Sequence, residues 1–173
     1  MSTLKVKQTE LDGVLVIEPL TMFEDFRGAY AETYNEQAYH DAGIKVKFVQ
    51  DDISVSHRYV LRGIHGDAKT WKLVSCLLGR FYLVIVNCNK QSPNFGKWES
   101  FSLSDSNRLQ VLVPPEHGVA HLVMSEKAIF HYKQSTCYDR AAQFTYRWDD
   151  PTFKIYWPIK NPVLSQRDIL ANE

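Results

Sequence analysis

The run Val60-Leu61-Arg62-Gly63-Ile64-His65 sets an imidazole beside a glycine and a guanidinium inside an apolar, strand-like pattern. Histidine is the side chain whose ordinary pKa lets it take or give a proton near neutrality, and arginine offers a planar fork that matches phosphate. As chemistry, His65 with Arg62 is a base beside an anionic, phosphate-bearing substrate; as structure, it is a packed strand histidine. Lys72, in Trp71-Lys72-Leu73-Val74, is a cation among apolar neighbours at a strand start. It either snorkels to water or, turned inward, faces an anion. Tyr132, followed by Tyr138, is a general acid where cations stabilise its phenolate and otherwise a packing residue. Tyr30 and Glu32 share a strand face by period-two spacing, a pair suited to stacking on and hydrogen-bonding a nucleobase, or an ordinary half-exposed surface. Gln50, Asp52 and Ser54 alternate in the same way and are able to point into one cavity. His65, Asp67, His117 and His121 together offer enough ligands for a transition metal, but the chain has no His-x-His pair.

Such side chains need rigid elements behind them. Short β-branched and aromatic stretches, punctuated by Gly, Pro, Asn and Asp, predict strands at Val14–Ile17, Val46–Val49, Leu73–Leu78, Phe81–Val86, Trp98–Leu103, Leu109–Val113 and Ala128–Tyr132. The segment Glu36–Ala42 predicts a helix with Asn35 as N-cap and Gly43 as its stop, and Leu164–Leu170 a short helix or wrap. With 173 residues and no repeat or linker, the expectation is one all-β domain over 1–173, a sandwich or barrel with minor helices. Lys plus Arg and Asp plus Glu balance at 20 each, so no global field favours nucleic acid or an anionic membrane. No apolar run approaches the roughly 20 residues that span a bilayer, and Met1 to Gln8 lacks the apolar core of a signal peptide. Cys76, Cys88 and Cys137 are widely spaced and odd in number, reading as reduced thiols of a cytoplasmic protein.

In this order, several segments resemble the nucleotide-sugar 3,5-epimerases of the dTDP-4-dehydrorhamnose epimerase family. They are Asp25-Phe26-Arg27-Gly28, Phe48-Val49-Gln50-Asp51, Val60-Leu61-Arg62-Gly63-Ile64-His65, Lys72-Leu73-Val74 and Phe95-Gly96-Lys97-Trp98. Val113-Pro114 with Ala120-His121, Tyr132-Lys133, Arg147-Trp148-Asp149-Asp150-Pro151 and Leu164-Ser165-Gln166-Arg167-Asp168 complete the set. The resemblance covers nearly the whole chain, and it is the colinear set rather than any one tetrapeptide that carries it.

The resemblance implies a cupin-like jelly-roll barrel without a catalytic metal or other cofactor, a homodimer with exchanged N-terminal strands, and a nucleotide-diphosphate 4-keto sugar as substrate. It implies His65 as the base that removes a proton next to the C4 ketone, and Asp168 as its orienting partner. Lys72 would stabilise the enolate oxygen and Tyr132 would return a proton from the opposite face. Arg27 and Arg62 match pyrophosphate contacts, Tyr30 and Glu32 a nucleobase clamp, and Gln50, Asp52, His121 and Tyr138 further pocket positions. The chemistry is self-consistent: a ketone acidifies its neighbouring C–H bonds, so a base, an acid and an electrophile suffice.

The chain departs from the pattern at Gly66-Asp67-Ala68-Lys69-Thr70-Trp71, Asp52, Val84-Ile85-Val86-Asn87, His121-Leu122-Val123 and Asp139-Arg140-Ala141-Ala142. The base, acid and lysine persist while the pocket wall changes, which suggests the same chemistry on another sugar or nucleotide. The loop around Ile64-His65-Gly66-Asp67 looks like the branch acting on GDP-linked 4-keto-heptoses in capsule biosynthesis. A 3,4-ketoisomerase, a metal-binding cupin and a non-catalytic sugar-nucleotide binder stand as alternatives.

Overall fold

Alternating strand residues point to opposite faces of a sheet, and here long stretches are apolar on both faces, so both faces must be covered. The computed structural model describes residues 4–19 and 22–171. Its strands are β1 (Lys5–Gln8), β2 (Leu15–Glu18), β3 (Met22–Asp25), β4 (Gly28–Ala31), β5 (Gln50–His57), β6 (Leu61–Gly66) and β7 (Lys72–Leu78), then β8 (Arg80–Asn87), β9 (Trp98–Ser104), β10 (Gln110–Val113), β11 (His117–Val123), β12 (Lys127–Gln134) and β13 (Phe144–Thr145). Helix α1 (Glu36–Asp41) precedes β5, a 3-10 turn (Arg140–Ala142) precedes β13, and α2 (Gln166–Ile169) follows it. A six-stranded sheet in the order β1-β2-β10-β7-β12-β5 faces a five-stranded sheet in the order β13-β6-β11-β8-β9, while β3 and β4 pair only with each other. The architecture is the expected cupin-like jelly roll.

Strand β8 shows how the layers divide. Phe81, Leu83 and Ile85 point between the sheets and pack with Val74, Val111, Leu103 and Phe130. Their neighbours Val84 and Val86 point outward beneath Phe144, Tyr146, Phe153 and Trp157 from the C-terminal segment. Ile17, Leu73 and Leu112, on the outside of the six-stranded sheet, are covered by Tyr39 of α1 and by Ile44, Val46 and Phe48. Each fully buried side chain of this size contributes about 1.5–3 kcal/mol, so the three layers supply the driving force that the chain's aromatic content suggested.

Helix α1 starts as predicted: the Asn35 side chain accepts the Ala38 N–H at 3.2 Å. It ends one residue early, with Ala42 as its C-cap and Gly43 following at a φ of +89°. The expected strand Val46–Val49 is corrected. Residues 44–49 have no regular structure, and the strand begins at Gln50. Val46 and Phe48 serve instead as a lid on the outer apolar layer. Among the described residues no helix is long and apolar enough to cross a membrane.

Candidate active site

Near one end of the space between the sheets the apolar filling gives way to a cavity of about 310 Å³. Its first wall is the five-stranded sheet. Across β6 and β11, His65 pairs with Val119 and Arg62 with His121, and the register shifts between the two pairs. In a regular strand residues 62 and 65 would point to opposite faces; the shift gives both to the cavity. Gly63 lies inside the shifted stretch at a φ of +117°, and a Cβ there would collide with the Val119 carbonyl and with Ala120. The glycine of the Arg-Gly-Ile-His run is therefore required by close packing as well as by conformation.

The second wall is the six-stranded sheet. In its register Gln134 lies opposite Lys72, Tyr132 opposite Val74, and Phe130 opposite Cys76 on one side and Ser54 on the other. Directly paired residues share a face, so Lys72, Tyr132, Gln134 and Ser54 look toward His65. A third side comes from α2 and its N-cap, which bring Ser165, Arg167 and Asp168 to the same space.

The central contact is His65 Nε2 to Asp168 Oδ1 at 2.6 Å. Ser165 Oγ donates to Asp168 Oδ2 at 2.7 Å, and the Asp168 side chain is almost fully enclosed. Burial alone would raise the Asp168 carboxyl. Bonds from His65 and Ser165, the imidazole's charge and the Gly63 backbone outweigh it and hold the group below the ordinary carboxylate value. Asp168 is thus a fixed anion against one imidazole nitrogen, Nε2, and Nδ1 is the ring nitrogen not engaged with it.

Burial, followed by the nearby charges of Asp52 and Tyr138, pushes the Tyr132 phenol up to about 12, so it keeps its proton across the neutral range. Burial also pushes the Lys72 ammonium down; Asp67 opposes this and Arg167 adds to it. His121, stacked on Phe130 at 4.1 Å between ring centroids, is pushed down to about 3 by burial and by Arg62 and His65. It is therefore a neutral ring. Among the described residues, His121 Nε2 and Ser54 Oγ are buried polar atoms of the cavity wall without a hydrogen-bond partner. Buried polar groups are rarely left so, and both atoms belong to residues of the cavity wall.

Of the residues singled out from the sequence, His65, Lys72, Tyr132, Asp168, Arg62, His121 and Tyr138 meet at this cavity. Gln50 and Asp52 share the inward face of β5 but stand one layer back. Gln50 and Gln134 each donate to Asp52 Oδ2 at 2.7 Å, and Gln50 Oε1 accepts the Tyr138 N–H at 2.8 Å. Within one chain Arg27, Tyr30 and Glu32 do not line this cavity. Arg27 and Tyr30 belong to the β3–β4 hairpin, where Arg27 is paired with Asp25 at 2.6 Å. Glu32 lies past the end of β4, so the expected strand face shared with Tyr30 is not formed, and it borders a small cleft with Arg108 and Gln110. Among the described residues the hairpin pairs with no other strand.

The four-residue metal grouping does not assemble. His117 Nδ1 is taken by the Pro115 carbonyl at 3.0 Å, and Asp67 is turned toward the Lys69 and Thr70 N–H groups. Among the described residues no three His, Cys, Asp or Glu side chains form a metal-holding group. Sequence reasoning missed Gln134, Gln143, Phe130, Ser165 and Arg167 as wall residues. Ser165 was accessible: Ser-x-x-Asp is an N-capping pattern, and here the cap also holds the base's partner.

A dTDP-4-dehydrorhamnose 3,5-epimerase family model matches residues 8–173. The chain is 38% identical over 170 residues to the dTDP-4-dehydrorhamnose 3,5-epimerase of Shigella flexneri, covering 96% of this chain and 93% of that one. Among solved structures it resembles dTDP-6-deoxy-D-glucose-3,5-epimerase from Legionella pneumophila in complex with dTDP-4-keto-L-rhamnose, with a TM-score of 0.91 and 34% identity over 97% of this chain and 91% of that one. It also resembles a 3'-monoepimerase from Streptomyces bikiniensis in complex with dTDP-quinovose, with a TM-score of 0.86 and 30% identity over 99% of this chain and 86% of that one.

Proposed function

The chain belongs to the dTDP-4-dehydrorhamnose 3,5-epimerase family and is an isomerase acting on nucleotide sugars; from that membership and the cavity's geometry we propose how and on what it acts. His65 Nδ1 removes the proton from a carbon next to the C4 ketone, and the resulting imidazolium is stabilised by Asp168. The electron pair moves to the C4 oxygen, where the Lys72 ammonium meets the developing negative charge. Tyr132 then delivers its phenolic proton to the opposite face of the same carbon, inverting it. The supporting observation is the placement of the base dyad and the protonated phenol on facing sheets. A ketoisomerase returns its proton without needing an acid on the far wall.

The substrate is a 4-keto-6-deoxy sugar, inverted at C3, C5 or both. dTDP is the first nucleotide to test because the matched relatives carry it in their names, and a GDP-linked 4-keto-heptose destined for capsule is the second. Arg62, already oriented by Ser56 Oγ at 3.0 Å, faces the diphosphate. Arg27 and Tyr30 of the hairpin, with Glu32 just beyond it, complete the nucleotide site from a second protomer. Phe26 is 99% exposed, Phe23 67% and Tyr30 66%, while Ile53 and Val55 stand out from edge strand β5 at 60% and 50%. Apolar surface of this kind on a hairpin and a sheet edge calls for a partner, and a homodimer supplies it.

Incubation in D2O with dTDP- and GDP-linked 4-keto sugars, read by mass spectrometry and proton NMR, tests the proposal. Deuterium at C3, C5 or both with inverted configuration is the expected result. A relocated ketone carbon identifies a ketoisomerase, and binding without exchange identifies a sugar-nucleotide carrier.

A further inference from the structure

Behind the wall that carries Lys72 is a carboxylate outside the proposed proton-transfer set. Asp67, on the segment joining β6 to β7, is 6% exposed. Its Oδ1 accepts the Lys69 N–H at 2.9 Å and the Thr70 N–H at 2.7 Å. Its Oδ2 accepts Gln143 Nε2 at 2.8 Å and lies 3.9 Å from Lys72 Nζ. Burial would raise this carboxyl, but the Lys69 and Thr70 bonds and the Lys72 charge outweigh it, so Asp67 is an anion.

The charges that act on Lys72 are Asp67 from the β6–β7 segment and Arg167 from α2, and the cavity it lines also holds Arg62 and His65 of β6, His121 of β11, Tyr132 of β12, Tyr138, and Asp168 of α2. Its neighbours in the sheet, Val113 on β10 and Gln134 on β12, are uncharged. Arg167 repels the ammonium, and Asp67 is the anion that compensates. An unpaired buried ammonium tends to shed its proton. At 3.9 Å the Asp67 contact is one of charge rather than of hydrogen bonding. The same carboxylate fixes the amide of Gln143, a cavity-wall residue.

We propose that Asp67 is a positioning residue that acts through Lys72 and Gln143, keeping the lysine a cation at the cavity wall and the glutamine amide turned away from the ligand. This rests on the reading of Lys72 as the group that meets the enolate oxygen. An Asp67→Asn side chain keeps Oδ1 for the Lys69 and Thr70 N–H groups, so the segment retains its turn while the charge is lost.

The test is an NMR titration of protein carrying isotope-labelled lysine side chains, with the Lys72 signal identified by its loss in a Lys72→Arg variant. The midpoint for Lys72 in D67N is expected to fall by about one pH unit or more, a tenfold change in ionisation, while Asp67→Glu stays near the native midpoint. The alkaline limb of D2O exchange into the sugar should move with it. An unchanged Lys72 titration in folded D67N, or a D67E midpoint displaced as far as that of D67N, overturns the inference. A native chain that exchanges no nucleotide sugar overturns the catalytic reading instead, and the titration, which needs no substrate, then still decides the charge relation.

Discussion

The cavity and the β3–β4 hairpin were both marked by chemistry-bearing residues, and they have opposite characters. In the cavity several polar groups are held from behind: His65 by Asp168, Asp168 by Ser165, Arg62 by Ser56, and Gln134 by Asp52. On the hairpin, by contrast, Arg27 reaches only its neighbour Asp25, and Phe26 and Tyr30 lie open. In the proposed mechanism the proton-transfer groups are held by one chain's fold, whereas recognition by the hairpin awaits a second surface. Chemistry and recognition should be separable by mutation.

His65→Asn tests the first half of this contrast. It should lower kcat/KM on the order of 10³-fold or more, by removing the proposed base, and leave the mass in solution unchanged; near-native turnover would remove the cavity from the mechanism. Tyr132→Phe should lower net inversion about 10²-fold while deuterium still enters from the His65 face, because the two walls act on opposite faces. Equal loss of exchange and inversion would argue against that division. Tyr30→Ala with Phe26→Ala should raise KM about tenfold with little change in kcat, and sedimentation should show a lower mass in solution. A fall in kcat alone would place the hairpin in the chemistry.

A smaller effect concerns what enclosure does to stability. His121 falls from its ordinary 6.5 to about 3 in the folded chain. Between those values the unfolded chain binds the proton and the folded chain does not, so stability is full above pH 6.5 and declines as pH falls toward 3. Denaturation of His121→Gln between pH 6.5 and 5 should show a shallower dependence, by up to about 1.4 kcal/mol per pH unit. An identical slope in both proteins would mean that His121 is protonated in the fold.

Much of the frame was legible because strands with a buried face alternate, as Phe81–Val86 and Leu109–Val113 do, and because Asn35 and Gly43 are unambiguous helix punctuation. Strand β5 was misplaced for a physical reason. It turns Gln50, Asp52, Ser54 and Ser56 inward and leaves Ile53 and Val55 outside, reversing the usual sense of the pattern because its inner face lines a polar cavity. The reader of apolar residues is drawn to Val46–Val49 instead. Arg62 and His65 were noticed together, but their common face depends on a register shift that period-two reasoning forbids. Gln134, Gln143 and Arg167 acquire meaning only through contacts between distant segments, which no local pattern contains.

The dyad joins residues 103 positions apart. Contacts of such long sequence separation form late and slowly, so a chain emerging from the ribosome holds its imidazole long before it holds the carboxylate that orients it. Synthesis is then its own safeguard: the imidazole meets its orienting carboxylate only after Asp168 has been made and α2 has docked.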